Sequence, residues 1–194
     1  MTRNWASPFG RLLAVAFMAL AFTACSVTDS DDDASVTSQR QEINAGVNAT
    51  LSKLYKASPK SQDLIKKASG VLVFPSVVGG SFVVGGEYGR GALREHGVTT
   101  GYYSISSASV GFQAGAQSRA LVIVFTTPQA LKDFKGRDGW SVGADASVHL
   151  ATVGASGDID SSIANQPVVG FVLTNVGLSG GVSLTGSKVS PLKL

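Results

Sequence analysis

Residues 71–91, VLVFPSVVGGSFVVGGEYGRG, restrict the fold of this chain more than any other stretch. Val71-Leu72-Val73-Phe74 is a wholly apolar run closed by Pro75, which has the length and composition of a buried strand. Ser81-Phe82-Val83-Val84 resumes an extended pattern between the glycine pairs Gly79-Gly80 and Gly85-Gly86. A glycine inside a strand admits another backbone at close range, or marks a bulge or bend. Glycines at this density suit a tightly curled sheet rather than a flat one. Gly85, Gly86, Gly111 and Gly115 are therefore expected where the backbone bends or another element packs closely.

The chain beyond this stretch reads as strand after strand. Val98 to Ser104, Ser109 to Gln117, Ala120 to Thr126, Trp140 to Leu150, Val168 to Thr174 and Gly177 to Gly186 are separated by turns, many of them bearing glycine. Leu121-Val122-Ile123-Val124-Phe125 has no polar alternation and is expected to be buried on both faces. Between strands, Thr127-Pro128 caps a short helix that runs through Lys135 and closes at Gly136. The fold class expected is mainly β with α (α+β). It comprises a strongly curved, glycine-rich antiparallel sheet or barrel, an N-terminal helical pair, and one short helix after the central strands. A parallel doubly wound sheet would need more crossover helices than the chain supplies.

The helical pair precedes the first strand. Ile43, Val47, Leu51, Leu54 and Tyr55 recur at helical spacing and define one apolar face. Ser58-Pro59 stops this helix and starts a second, with Leu64, Ile65 and Ala68 on its apolar side and Gly70 at its end. Between Arg40 and Gly70, six basic residues stand against Glu42 and Asp63. Five of them, Lys53, Lys56, Lys60, Lys66 and Lys67, either form a basic surface for anionic lipid or solvate the outer face of helices packed on the sheet.

The first 24 residues read as a signal peptide. Arg3 and Arg11 precede the apolar run 12–22, which is short for a membrane span and ends Phe22-Thr23-Ala24-Cys25. Small residues before a lone cysteine form a lipobox-like site, so Cys25 is expected to be acylated and to become the mature N-terminus. The alternative is an ordinary signal peptide with Cys25 as a free thiol, an odd feature in an exported protein. Ser26 favours sorting to the outer membrane, facing the periplasm of a bacterial envelope. Residues 25–38, polar and acidic, read as a lipidated disordered tether, and 39–194 as a single domain. Removing the leader arginines and the tether aspartates converts the formal net charge of +3 into 14 basic against 9 acidic groups in the folded part.

Four blocks carry a resemblance. Residues 67–75 followed by 80–89 are similar to the opening signature of the SYLF domain family, and residues 111–118, 143–148 and 177–184 agree in order. Gly101 stands where the family often has proline, and Thr174-Asn175-Val176 lacks the usual basic residue. The resemblance implies a lipid-binding module and no catalysis: animal members are phosphoinositide binders and some fungal members associate with actin. The function expected is a non-enzymatic, lipid-binding envelope lipoprotein whose partners are membrane lipids, anionic headgroups among them. The alternative is a structural or protein-interaction lipoprotein without a specific lipid ligand.

Other chemistries find little support. The strings Gly139-Trp140-Ser141-Val142-Gly143 and Gly177-Leu178-Ser179-Gly180-Gly181 lack the acid and histidine order of a hydrolase. His96 and His149 stand apart with no cysteine beside them, so no metal is expected, and His96 should occupy an exposed turn. Asp158-Ile159-Asp160 lacks the glycine and glutamate of a calcium loop. No nucleotide or other cofactor is expected, and no nucleic acid. Asp145, read as a mid-strand carboxylate, is either a headgroup contact or a structural group satisfied by local donors.

Overall fold

The structure is a computed structural model that describes residues 30–81, 84–110, 115–151, 159–175, 177–179 and 184–194. Two helices, α1 (Ser30–Ala57) and α2 (Pro59–Lys67), precede the strands β1 (Gly70–Ser81), β2 (Val84–Glu95), β3 (Val98–Val110) and β4 (Gly115–Phe125). Helix α3 (Pro128–Lys135) is followed by β5 (Trp140–Ser141), β6 (His149–Leu150), the single turn α4 (Ser161–Ala164), β7 (Val168–Thr174), β8 (Gly177–Leu178) and β9 (Lys188–Pro191). The strands form one sheet in the order β5-β9-β3-β2-β1-β4-β7-β6, with β8 also paired to β7. Pairing is antiparallel except for β6 with β7. The sheet is a strongly curled, open half-barrel with the helical pair at its N-terminal side.

The curl is concentrated at Pro75. Register shifts occur on both sides of β1, between Val73 and Ser76 against β2 and between Phe74 and Val77 against β4. Proline offers no N–H to a ladder, so a central strand can hold it only where pairing is interrupted. Across from this bulge, a Cβ on Gly91 would lie 2.2 Å from the Val73 carbonyl oxygen, and one on Gly89 would lie 2.7 Å from that of Ser76. Only glycine admits strands this close. Gly86 does not share this role: the nearest atom to its missing Cβ is the Ser107 carbonyl oxygen at 3.6 Å. Gly85 and Gly115 are ladder residues opposite Ser109 and Ser81. Gly111 lies outside the described residues.

β1 and β4 bury both faces. On one side Leu72, Phe74, Leu121, Ile123 and Phe125 pack with Leu131 and Phe134 of α3 and with Trp140. On the other, Val71, Val73, Val122, Val124 and Phe171 meet Ile43, Val47, Leu51 and Leu54 of α1. The Leu121–Phe125 run is thus sandwiched, as its unbroken apolarity requires. Gly46 lets α1 descend onto the bulge, since a Cβ there would lie 2.8 Å from that of Pro75.

Several local expectations are corrected. α1 begins at Ser30, inside the segment read as a disordered tether, with Asp33 in its first turn; a carboxylate there suits the positive end of the helix dipole. Gly70 does not end α2, which stops at Lys67, but opens β1 and makes room for Leu131, whose Cδ1 would be 2.9 Å from an added Cβ. Residues 140–150 form two two-residue strands around a turn rather than one strand. Ser58 occupies the N-cap position in extended conformation, but its side chain makes no capping hydrogen bond; its carbonyl accepts from Ser61 Oγ at 2.6 Å.

Candidate functional site: a cationic end of the half-barrel

The five lysines of the helical pair are exposed, while Leu54, Tyr55, Leu64 and Ile65 between them are buried or half-buried. Lys53 and Lys56 lie on the last turns of α1, Lys60 begins α2, and Lys66 and Lys67 end it. Both helices lead toward the end of the sheet where β2 finishes. Tyr55 of α1 feels the charge of Arg94 on β2, although burial outweighs that charge and raises the Tyr55 hydroxyl above its ordinary pKa. Asn48 accepts from Arg94 Nη1 at 2.8 Å. Cys25 lies outside the described residues.

A second helix brings cations to the same end. Thr127 caps α3 by accepting from the Ala130 amide at 3.2 Å, Pro128 opens the helix, and the Gly136 amide donates to the Lys132 carbonyl at its close. Lys132 and Lys135 occupy its last turn. Lys135 Nζ donates to Glu95 Oε1 at 2.7 Å, and Thr100 Oγ1 donates to the same oxygen at 2.7 Å. Hydrogen bonds from Lys135 and then Thr100 hold the Glu95 carboxyl below its ordinary pKa, against a smaller opposing effect of burial. The turn after Glu95 carries His96, exposed and at φ 52, in the place foreseen for it. The Ser69 amide donates to the Phe125 carbonyl at 2.9 Å, which fixes the end of α2 beside the start of α3. A cavity of about 570 Å3 opens between these pieces, lined by Ser69, His96, Pro128, Leu131, Lys132 and Lys135 among others.

Sequence reasoning singled out the helical-pair lysines and missed Lys132 and Lys135. Their only local signal is the one already read, a capped helix ending in basic residues. Nothing local says that this helix end faces the β2–β3 turn.

Asp145 is a structural carboxylate in a turn, not a mid-strand charge. Its Oδ1 accepts from Arg137 Nη1 at 2.8 Å and its Oδ2 from the Ser141 amide at 2.7 Å. Both oxygens have a partner within the chain, as the structural reading of this carboxylate requires. Ser141 is the second residue of β5 and is followed by a turn, so no nucleophile elbow forms there. Asp160 caps α4 through the Ser162 amide and hydroxyl, at 2.8 and 2.7 Å, and these bonds lower its pKa. Among the described residues no three histidine, cysteine or carboxylate side chains are grouped to hold a metal.

The fold and this end of it define a small curled β domain that carries a basic helical pair. Residues 106–193, from the second half of β3 through β9, match the model of the family described as Ysc84, Las17-binding protein actin regulator. Over that region the match is consistent with a SYLF domain. No curated protein matches the chain in sequence. A SYLF domain suggests lipid binding and membrane association in general.

Proposed function

We propose that this protein is a non-enzymatic, lipid-binding lipoprotein of the bacterial envelope, anchored through an acylated Cys25. In this reading the anchor places it in the outer membrane, facing the periplasm, and the basic helical pair contacts anionic lipid. The observation that carries the lipid contact is the arrangement of α1 and α2. Their apolar sides are spent on the sheet, while Lys53, Lys56, Lys60, Lys66 and Lys67 all face outward. Each lysine near an anionic surface adds up to about 1 kcal/mol. Replacing all five with glutamine should lower affinity for anionic vesicles in sedimentation while leaving the fold intact, because exposed substitutions change stability within about 0.5 kcal/mol. Added salt should weaken the wild-type interaction, since exposed charges are screened beyond about 8 Å at physiological ionic strength. Equal binding by the quintuple variant at low salt would reduce these lysines to a solvated face.

The anchor has its own test. Cys25→Ala should leave the protein uncleaved or soluble. A variant that is still acylated, and extracted only by detergent, would refute the anchor. A second reading, a protein-interaction lipoprotein without a specific lipid, draws on the family's description as Las17-binding. Binding to vesicles that does not depend on anionic lipid would favour it.

A further inference from the structure

We propose that the cavity between α3 and the β2–β3 turn binds a phosphomonoester that carries an alkyl chain, the chemistry shared by a phosphatidic-acid-type lipid headgroup and a free alkyl phosphate. This inference rests on the lipid-binding reading but assigns a site distinct from the helical-pair lysines. Lys132 and His96 line the cavity and are exposed, and neither side chain has a hydrogen-bond or ion-pair partner among the described residues. Lys135 is already held by Glu95, and that pair neutralises itself while keeping the Lys135 ammonium fixed at the cavity wall. With Glu95 offset by Lys135, the Lys132 ammonium leaves the charge offered to a ligand positive.

The floor is apolar. Pro128 and Leu131 line it, and Leu131 is 7% exposed, seated in the space that Gly70 leaves open. The Lys132 ammonium and the His96 imidazole beside an apolar floor match a ligand with a phosphate at one end and hydrocarbon immediately next to it. A bare inorganic anion would leave that floor unused. Val98, 66% exposed just beyond the turn, extends the apolar surface at this end of the molecule.

The full chain, held in phosphatidylcholine nanodiscs, can be titrated with inorganic phosphate and with n-hexyl phosphate by NMR or calorimetry. Hexyl phosphate should bind at least about tenfold more tightly than inorganic phosphate, because burying even two methylenes gives roughly that factor. The variant Lys132→Gln/His96→Asn keeps a residue that tolerates positive φ at position 96 and should bind hexyl phosphate at least about fivefold more weakly. The quintuple lysine variant of α1 and α2 serves as the contrast. If that variant loses anionic vesicles while Lys132→Gln/His96→Asn leaves hexyl phosphate binding unchanged, the cavity site is overturned and the helical-pair reading stands. If hexyl phosphate binding depends on Lys132 and His96 while vesicle binding ignores the helical-pair lysines, the cavity stands without them. Equal affinity for the two phosphates would also overturn the proposal, because the apolar floor would then contribute nothing.

Discussion

Gly91→Ala should be one of the most damaging single substitutions in this domain. In an unstrained strand, alanine is favoured over glycine by roughly 0.5–1 kcal/mol, so propensity alone predicts a small gain. The structure reverses the sign. The new Cβ would sit 2.2 Å from the Val73 carbonyl oxygen and 2.7 Å from Phe74 Cδ1, and the first of these is backbone inside a central strand. Relief requires β1 and β2 to separate by close to an ångström at the bulge, which disturbs the ladder and the packing of Phe74, itself 0% exposed. Overpacking of this kind costs about 1–3 kcal/mol, and loosened ladder hydrogen bonds add about 1 kcal/mol each. A loss of about 3 kcal/mol would lower the urea midpoint by roughly 1–2 M. The assay is favourable because Trp5 and Trp140 are the only tryptophans. Once the leader is removed, fluorescence reports on Trp140 alone, packed against Phe125 and Phe134 at 6.1 and 5.5 Å. Gly86→Ala is the internal control: its Cβ meets nothing closer than 3.6 Å, and its midpoint should move by no more than about 0.5 kcal/mol equivalent. If Gly91→Ala unfolds no earlier than Gly86→Ala, the close approach at Pro75 does not set the curvature of this sheet.

Two further outcomes follow from charges that the sheet brings together. Arg119 Nη2 meets Glu87 Oε2 at 2.6 Å, and Ser107 Oγ donates to the same oxygen at 3.0 Å. The space above Gly79 is filled by Glu87, whose Cγ would lie 2.7 Å from an added Cβ. Both charged side chains are mostly buried, so Arg119→Met should cost about 2 kcal/mol, and a double-mutant cycle with Glu87→Gln should recover a coupling of about 1 kcal/mol or more; additive effects would show the pair to be incidental. Glu95 tests the linkage between charge and stability. Its folded pKa lies below the ordinary 4.5, so the stabilisation is present above that value and is lost as pH falls through the lower folded value. Denaturation midpoints between pH 6 and 3 should therefore fall more steeply for wild type than for Glu95→Gln, and parallel curves would refute the assignment.

Short-range patterns were legible in this sequence wherever one element's own periodicity decides its environment. Ile43, Val47, Leu51 and Leu54 mark the buried side of α1 because a helix repeats every 3.6 residues, and Leu121–Phe125 announces a strand covered twice because no polar residue interrupts it. Thr127-Pro128 starts α3 for equally local reasons. The density of glycine foretold a curled sheet, but not which glycines curl it. Gly86 lies in ordinary contact, while Gly89 and Gly91 face the bulge, because that choice depends on strand register, which sets Val77 opposite Gly89 and Val73 opposite Ala92, 12 and 19 positions apart across the β1–β2 hairpin. Asp145 looked like a strand carboxylate until the turn at 142–146 placed Arg137 and the Ser141 amide around it. The cationic cavity is the clearest case of what only the tertiary structure decides. His96 and Lys132 are 36 positions apart, and each alone reads as solvated surface. They share a wall only because β2 and β4 flank β1, which brings the β2–β3 turn and the start of α3 to one end of the sheet.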